Sequence, residues 1–217
     1  LERKQRAVLG SHLSKLGIVD LRRGLLEGNN SMFSSCLRRR MEERLEKNEQ
    51  IMLFINRRGY SNFVSCRSCG EAVKCPSCSV AMTYHTKKGS YESGELVCHW
   101  CGRRIKMPEK CPSCGSKHLI RCGFGTQKVE QELSVLMPDA RVLRMDADTT
   151  STKQSYEILL NEFRASGDVL LGTQMVTKGH DFPRVTLVGV LLAVMSLYLD
   201  YYSANERTFS LLTQVIG

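Results

Sequence analysis

The chain has 217 residues, of which 42% are hydrophobic and 24% charged, and its formal net charge is +9. That composition belongs to a globular protein able to bury a core, and it excludes a disordered tail. The basic excess favours a polyanionic partner, nucleic acid first.

Residues 1–30 are polar and weakly patterned, and they read as a linker entering a domain. Within them "GIVDLR" reads as a short strand, and Gly28, Asn29 and Asn30 break the chain. The first residue is Leu1, which suggests a piece of a longer protein. No charged region, apolar core and cleavage site follow one another here, so no secretory signal is expected. From Ser34 the pattern turns helical, with Phe33, Leu37, Met41 and Leu45 recurring every fourth residue. Ser31 or Ser34 is suited to cap that helix. "QIMLFIN" at 50–56 has the length and apolarity of a buried strand.

Residues 66–114 hold four Cys-x-x-Cys pairs and few aliphatic residues, so this stretch is expected to be stapled by metal rather than by a core. After Cys114 the character changes. "TQKVEQELSVLM" is amphipathic, with Val129, Leu133 and Leu136 on one side. "ARVLRMDAD" reads as a strand, "SYEILLNEFRAS" as a helix closed near Gly167, "DVLLGTQ" and "RVTLVGVLLAVM" as strands, and "NERTFSLLTQV" as a helix. The longest apolar run, 185–195, is too short to span a bilayer. Strand and helix alternate with short breaks, which predicts an α/β fold: a parallel sheet covered by helices. The cysteine block then interrupts it after the first strand.

Eight of the ten cysteines lie in the four pairs. In a chain without a signal peptide this pattern predicts metal rather than disulfides, and a reducing, cytoplasmic compartment. Four thiolates close a tetrahedral zinc site, so four pairs predict two Zn2+ ions. Nineteen residues separate Cys78 from Cys98, which fits a zinc ribbon, whereas five between Cys69 and Cys75 are a tight span. The spacing therefore favours Cys75, Cys78, Cys98 and Cys101 around one ion. Cys66, Cys69, Cys111 and Cys114 would take the other, in a nested arrangement. Sequential pairing is the alternative. Gly70, Gly102 and Gly115 follow their pairs where a positive φ is expected. His85, His99 and His118 are not needed as ligands, and His99 is expected to face solvent. Cys36 and Cys122 are expected to be structural. No coordination position is left open for catalysis. The basic and aromatic residues of the block (Lys74, Lys87, Lys88, Arg103, Arg104, Lys106, Tyr84, Trp100) could meet a nucleic-acid strand or a protein.

"LFINRRGYSNFVSCRSCG", the four cysteine pairs, "GFGTQKVEQEL", "RMDADTT", "VLLGTQMVTKGHDFPRVTLVGVL" and "ERTFSLLTQVIG" occur in that order. Together they resemble the PriA (primosomal protein N′) family of bacterial replication-restart helicases, over residues 31–217. The resemblance implies the RecA-like second lobe of a superfamily 2 DNA helicase, with helices on both faces of the sheet and a two-zinc insertion. It implies an ATP-dependent motor moving 3′ to 5′ on single-stranded DNA at stalled forks, in the bacterial cytoplasm and nucleoid. The implied cofactors of the complete protein are two Zn2+, ATP and Mg2+. The implied partners are single-stranded and forked DNA, other primosome proteins and single-strand-binding protein, with no membrane. The zinc block is implied to assist strand handling and primosome assembly, with its ions bound in the nested way. The corresponding division is 1–30 linker, 31–65 start of the lobe, 66–114 zinc insertion and 115–217 remainder of the lobe.

"GTQMVTKGHDFP" matches the family's motif V, and it follows a strand at the carboxyl end, where open α/β sheets place ligands. Thr173, Gln174, Thr177 and Lys178 would touch a DNA backbone, and Gly179 and Asp181 would approach the nucleotide. Gly125 and Thr126 stand at a helix start whose N–H groups suit a strand phosphate, although a capped surface helix explains them locally as well. No Walker loop or paired-acid motif stands in a matching place, so no catalytic residue is assigned. The chain stops at Gly217, before the arginines that the family carries beyond "QV-x-G". Leu192, Val194 and Ser203 depart from the family pattern. These features predict a chain that is inactive alone as an ATPase, within a parent enzyme that is active. The competing reading is a stand-alone zinc-ribbon nucleic-acid-binding protein.

Overall fold

A computed structural model describes residues 16–55, 63–86, 94–121, 125–146, 149–150, 152–173 and 182–191, together with Glu206, Phe209, Ser210 and Thr213. Its frame is a four-stranded parallel sheet in the order β7-β8-β1-β9, formed by β1 (Gln50–Ile55), β7 (Val142–Met145), β8 (Val169–Gly172) and β9 (Val185–Leu191). Strand β1 is central: Ile51 pairs with Val169 on one side and Leu187 on the other. All six of its residues are buried. An apolar run without polar alternation is what a strand covered on both faces requires.

Both faces are indeed covered. Ile51, Leu53 and Ile55 point to a cluster with Met41 of α2 (Ser35–Leu45) and with Val129 and Leu133 of α3 (Thr126–Leu136). Met52 and Phe54 point the other way, to Leu160 and Phe163 of α4 (Lys153–Ser166). The period-two alternation along β1 thus assigns each side chain to one helical layer.

The helices start where their caps are. The Ser34 hydroxyl accepts from Leu37 N at 3.1 Å, and Arg38 pairs with Glu42 one turn on. Thr152 and Ser155 form a reciprocal capping box at the start of α4. The C-terminus of α4 has a less legible cap. Gln50, buried in β1, donates from Nε2 to Phe163 O at 2.6 Å and Gly167 O at 2.7 Å. Replacing it as Gln50→Leu removes the only side-chain donor described at those buried carbonyls. The expected cost is about 1–3 kcal/mol, read as a lowered urea midpoint; an unchanged midpoint would rule out this cap.

One expectation is overturned. "GIVDLR" forms no strand: residues 17–20 lack regular structure and α1 (Leu21–Leu26) begins directly after. Asp20 is the cause, because its carboxylate accepts from Arg22 N at 3.0 Å and from the Arg22 guanidinium. That geometry nucleates a helical turn. The other expected elements are present with bounds shifted by a few residues: β7 stops at Met145, and α4 starts at Lys153, two residues ahead of the expected Ser155. Most of the final expected helix lies outside the described residues, although Glu206, Phe209, Ser210 and Thr213 are helical.

Candidate metal centres and the carboxyl edge of the sheet

Between β1 and α3 the chain leaves the sheet and returns on its own track. Strand β2 (Val64–Cys66) leads out, β6 (Leu119–Arg121) leads back, and the two pair antiparallel, with Cys66 opposite Leu119. They form a two-stranded stalk. Beyond it lies a three-stranded antiparallel sheet of β3 (Thr83–Thr86), β4 (Gly94–Val97) and β5 (Arg104–Lys106). This insertion has a small core, contrary to expectation: Val64, Val73, Met82, Tyr84 and Leu96 pack with Cys75 and Cys98. The aliphatic residues are few but converge. Tyr84 therefore belongs to the interior, not to an exposed binding surface.

The four Cys-x-x-Cys segments repeat one turn. In each, the residue four places after the first cysteine donates its N–H to that cysteine's carbonyl: Gly70 to Cys66, Ser79 to Cys75, Gly102 to Cys98 and Gly115 to Cys111, at 2.8–2.9 Å. In each, the first cysteine's own N–H then donates five residues ahead, as from Cys98 to Arg103 O. The turn needs a positive φ at the fourth place, and glycine supplies it at φ 83°, 72° and 74°. The second turn has Ser79 instead, at φ 59°. Left-handed backbone costs a non-glycine residue about 1–2 kcal/mol. Ser79→Gly is thus expected to stabilise the insertion by about 1 kcal/mol and Gly102→Ala to destabilise it by about as much, both measured by chemical denaturation. Equal and opposite shifts support the shared turn; a neutral Gly102→Ala contradicts it.

The turns aim their sulfurs in nested pairs. Cys66, Cys69, Cys111 and Cys114 form one quartet, and Cys75, Cys78, Cys98 and Cys101 the other, with sulfurs within 4.8 Å of one another in each. Close pairs lie at 3.6 Å (Cys66–Cys114), 3.7 Å (Cys69–Cys111) and 3.7 Å (Cys75–Cys101). Sulfurs about 2.3 Å from one tetrahedral zinc stand about 3.8 Å apart, whereas a disulfide needs about 2.05 Å. The donor set and its spacing both fit zinc.

Four sulfurs so close cannot all be thiolates without a cation between them. Burial works against ionisation of Cys66, yet the N–H groups of Cys69 and Ser68 outweigh it and hold the thiol at about 7. The same contest, with Ser77 and Cys78 as donors, holds Cys75 at about 7. Burial pushes Cys69 up to about 12, and the sulfur of Cys101 pushes Cys78 up to about 12. Each quartet thus offers one ready thiolate beside a neighbour that resists ionisation. A divalent ion reverses that balance and expels the remaining protons.

The insertion is also tied to the frame. Arg67, inside the first turn, donates to the carbonyls of Asn30 at 2.6 Å and of Asn29 and Ser31 at 3.2 Å. That segment is held in turn by Glu132 of α3, which accepts from Met32 N at 2.9 Å and from the Ser31 hydroxyl.

Two residues of the second expected group, Thr126 and Thr173, lie at the carboxyl edge of the sheet. Thr173 follows β8 and donates its N–H to Met145 O at 3.4 Å. Asp146 stands just past β7 and is buried. It accepts from the Thr126 hydroxyl and from Thr149 N at 3.0 Å, and pairs with Arg144 at 3.3 Å. Thr126 is 1% exposed. Its hydroxyl is engaged inside the protein, which leaves the contact expected at this helix start to its backbone N–H groups. Gln174, Thr177, Lys178, Gly179 and Asp181 lie outside the described residues, as do Lys87, Lys88 and Cys122.

A family model described as the PriA DNA helicase Cys-rich region (CRR) domain matches residues 75–106. Curated proteins called replication restart protein PriA match along the chain. That of Bacillus subtilis (strain 168) is 50% identical over 206 residues, covering 94% of this chain and 25% of the relative. That of Synechocystis is 46% identical over the same shares, and that of Borreliella burgdorferi is 31% identical over 98% of this chain and 31% of the relative. The chain carries a PriA-family segment. It spans about a quarter of the length of the first of these curated PriA relatives.

Sequence reasoning missed three structural residues of this PriA-family segment: Gln50, Arg67 and Asp146. Gln50 and Arg67 act on main-chain carbonyls far along the chain, and no local spacing announces such a bond. Asp146 left a signal, an acid at the end of a strand followed by "ADTT", which is a turn-forming pattern. Among the described residues, no helix is long and apolar enough to cross a membrane.

Proposed function

We propose that this segment is the second motor lobe and zinc module of an ATP-dependent 3′–5′ DNA helicase that acts in replication restart. The observation that carries the reading is architectural. A two-zinc module on a stalk interrupts a parallel α/β sheet just after its central strand, and PriA relatives match both parts in one stretch. A stand-alone zinc-ribbon protein has no use for the four-stranded sheet.

In this reading the frame comprises 31–65 and 115–217, the module 66–114, and residues 1–30 lead in from a first lobe. The carboxyl edge beyond β8 meets the tracked strand through Thr173, Gln174, Thr177 and Lys178. Gly179 and Asp181 face a nucleotide held mainly by the other lobe, which supplies the phosphate cradle and the Mg2+ ligands. At α3 the contribution left to Thr126 is its backbone N–H. The module meets DNA or primosome proteins, single-strand-binding protein among them, in the bacterial cytoplasm and nucleoid.

The full-length protein is expected to hydrolyse ATP on addition of single-stranded or forked DNA and to unwind with 3′–5′ polarity. The 217-residue chain alone is expected to show no DNA-stimulated turnover. Lys178→Ala in the full-length protein should weaken binding alike across DNA sequences and reduce its salt dependence by about one counterion. A full-length protein without DNA-stimulated hydrolysis, or an isolated chain with it, overturns the assignment.

A further inference from the structure

Two histidines outside both thiolate quartets meet on the surface of the insertion. His85 is the third residue of β3, and His99 lies inside the third cysteine turn. Both are exposed, and their Nε2 atoms stand 3.3 Å apart with ring planes at 65°. An N–H hydrogen bond is best made at 2.7–3.2 Å, so the pair is slightly too far apart for a good one. Two nitrogens about 2.0–2.1 Å from a tetrahedral zinc stand about 3.3–3.4 Å apart. The separation is the one a shared cation imposes. Glu95, directly opposite His85 in the β3–β4 register, is paired with Arg104 and does not complete a three-ligand cluster with the two rings.

We propose that His85 and His99 form a third metal site, distinct from the two thiolate quartets, for a divalent transition-metal ion of imidazole preference such as Zn2+, Ni2+ or Cu2+, with water completing its coordination. The quartets are closed, since each supplies four sulfurs. The histidine site is open. Its exposed side leaves coordination positions for water or for an oxygen donor from outside, so its ion exchanges readily while theirs do not. Occupied, it pins the turn that carries Cys98 and Cys101 to strand β3.

Calorimetric titration of the zinc-replete chain with Zn2+, in a non-coordinating buffer above pH 7, tests this. The starting material is checked for two thiol-bound ions by release with an organomercurial. One further equivalent is expected. It should be lost in His85→Gln and in His99→Gln, each retaining its two thiol-bound ions. Nitrogen-15 NMR of the imidazoles should show the Nε2 resonances of both rings shifting together on Zn2+ addition in the unmutated chain, which gives an answer even where a variant fails to fold. No third equivalent, or one that survives both histidine substitutions, overturns the proposal, as does zinc addition that leaves both Nε2 signals unmoved.

Discussion

Stripping the zinc from this chain is expected to unfold residues 64–121 while the four-stranded sheet stays folded. Two sulfur ligands, Cys75 and Cys98, are themselves members of the insertion's core, so the metal and the packing around it fail together. A structural zinc ion contributes apparent free energy on the order of 10–16 kcal/mol at neutral pH, far beyond what a cluster of five or six apolar side chains supplies in a unit this small. The sheet has separate support on its two faces, from α2 and α3 and from α4. Chelation should therefore abolish the chemical-shift dispersion of the insertion and free eight thiols, while the signals of Ile51, Leu53 and Leu171 persist. Cys98→Ser should do the same locally and release one ion of two. Acid should mimic the chelator. With Cys69 and Cys78 pushed up to about 12 in the metal-free state, zinc must displace their protons at every physiological pH, so affinity falls as pH falls, by about tenfold per pH unit for each displaced proton. A competition titration at several pH values gives that slope. Flat affinity, or loss of the sheet together with the insertion, would contradict the two-part architecture.

Phe163→Ala is expected to be the most damaging single change where α4 packs on the sheet. The ring is fully buried between α4 and the sheet and meets Phe182 edge-on at 5.4 Å between centroids. Truncating such a residue costs about 3–5 kcal/mol, and the aromatic pair accounts for about 0.5–1.5 kcal/mol beyond its area. Against a total of about 5–15 kcal/mol for a typical domain, that loss leaves little. The urea midpoint of the sheet should fall steeply, and the zinc content should stay at two, because the insertion packs separately. The double variant with Gln50→Leu should cost less than the sum of the single changes, since Gln50 bonds the carbonyl of Phe163 itself. Full additivity would show that the cap and the ring act independently.

Periodicity exposed most of the frame. Phe33, Leu37, Met41 and Leu45 announced α2, and the apolar run 51–55 announced a buried strand. Thiol spacing likewise favoured the nested quartets that the structure brings together. What escaped lies in bonds between distant segments. "GIVDLR" has the apolar look of a strand, and one carboxylate, Asp20, turns it into a helix start. The bond between Thr126 and Asp146 was hidden because the two stand twenty residues apart. The module's own core was invisible because its members are scattered singly among polar residues and converge only once the turns have formed.

Arg67 has a consequence for how this architecture tolerates change. Its guanidinium grips three carbonyl oxygens of 29–31 and no side chain there. A clasp of that kind senses the route of the chain and is blind to its spelling. Asn30 can drift among residue types without loosening the insertion, whereas a deletion of one residue in 29–31 would move every oxygen out of reach. The guanidinium's planar fork would then be left facing a gap, and the stalk would lose the three bonds that tie it to 29–31.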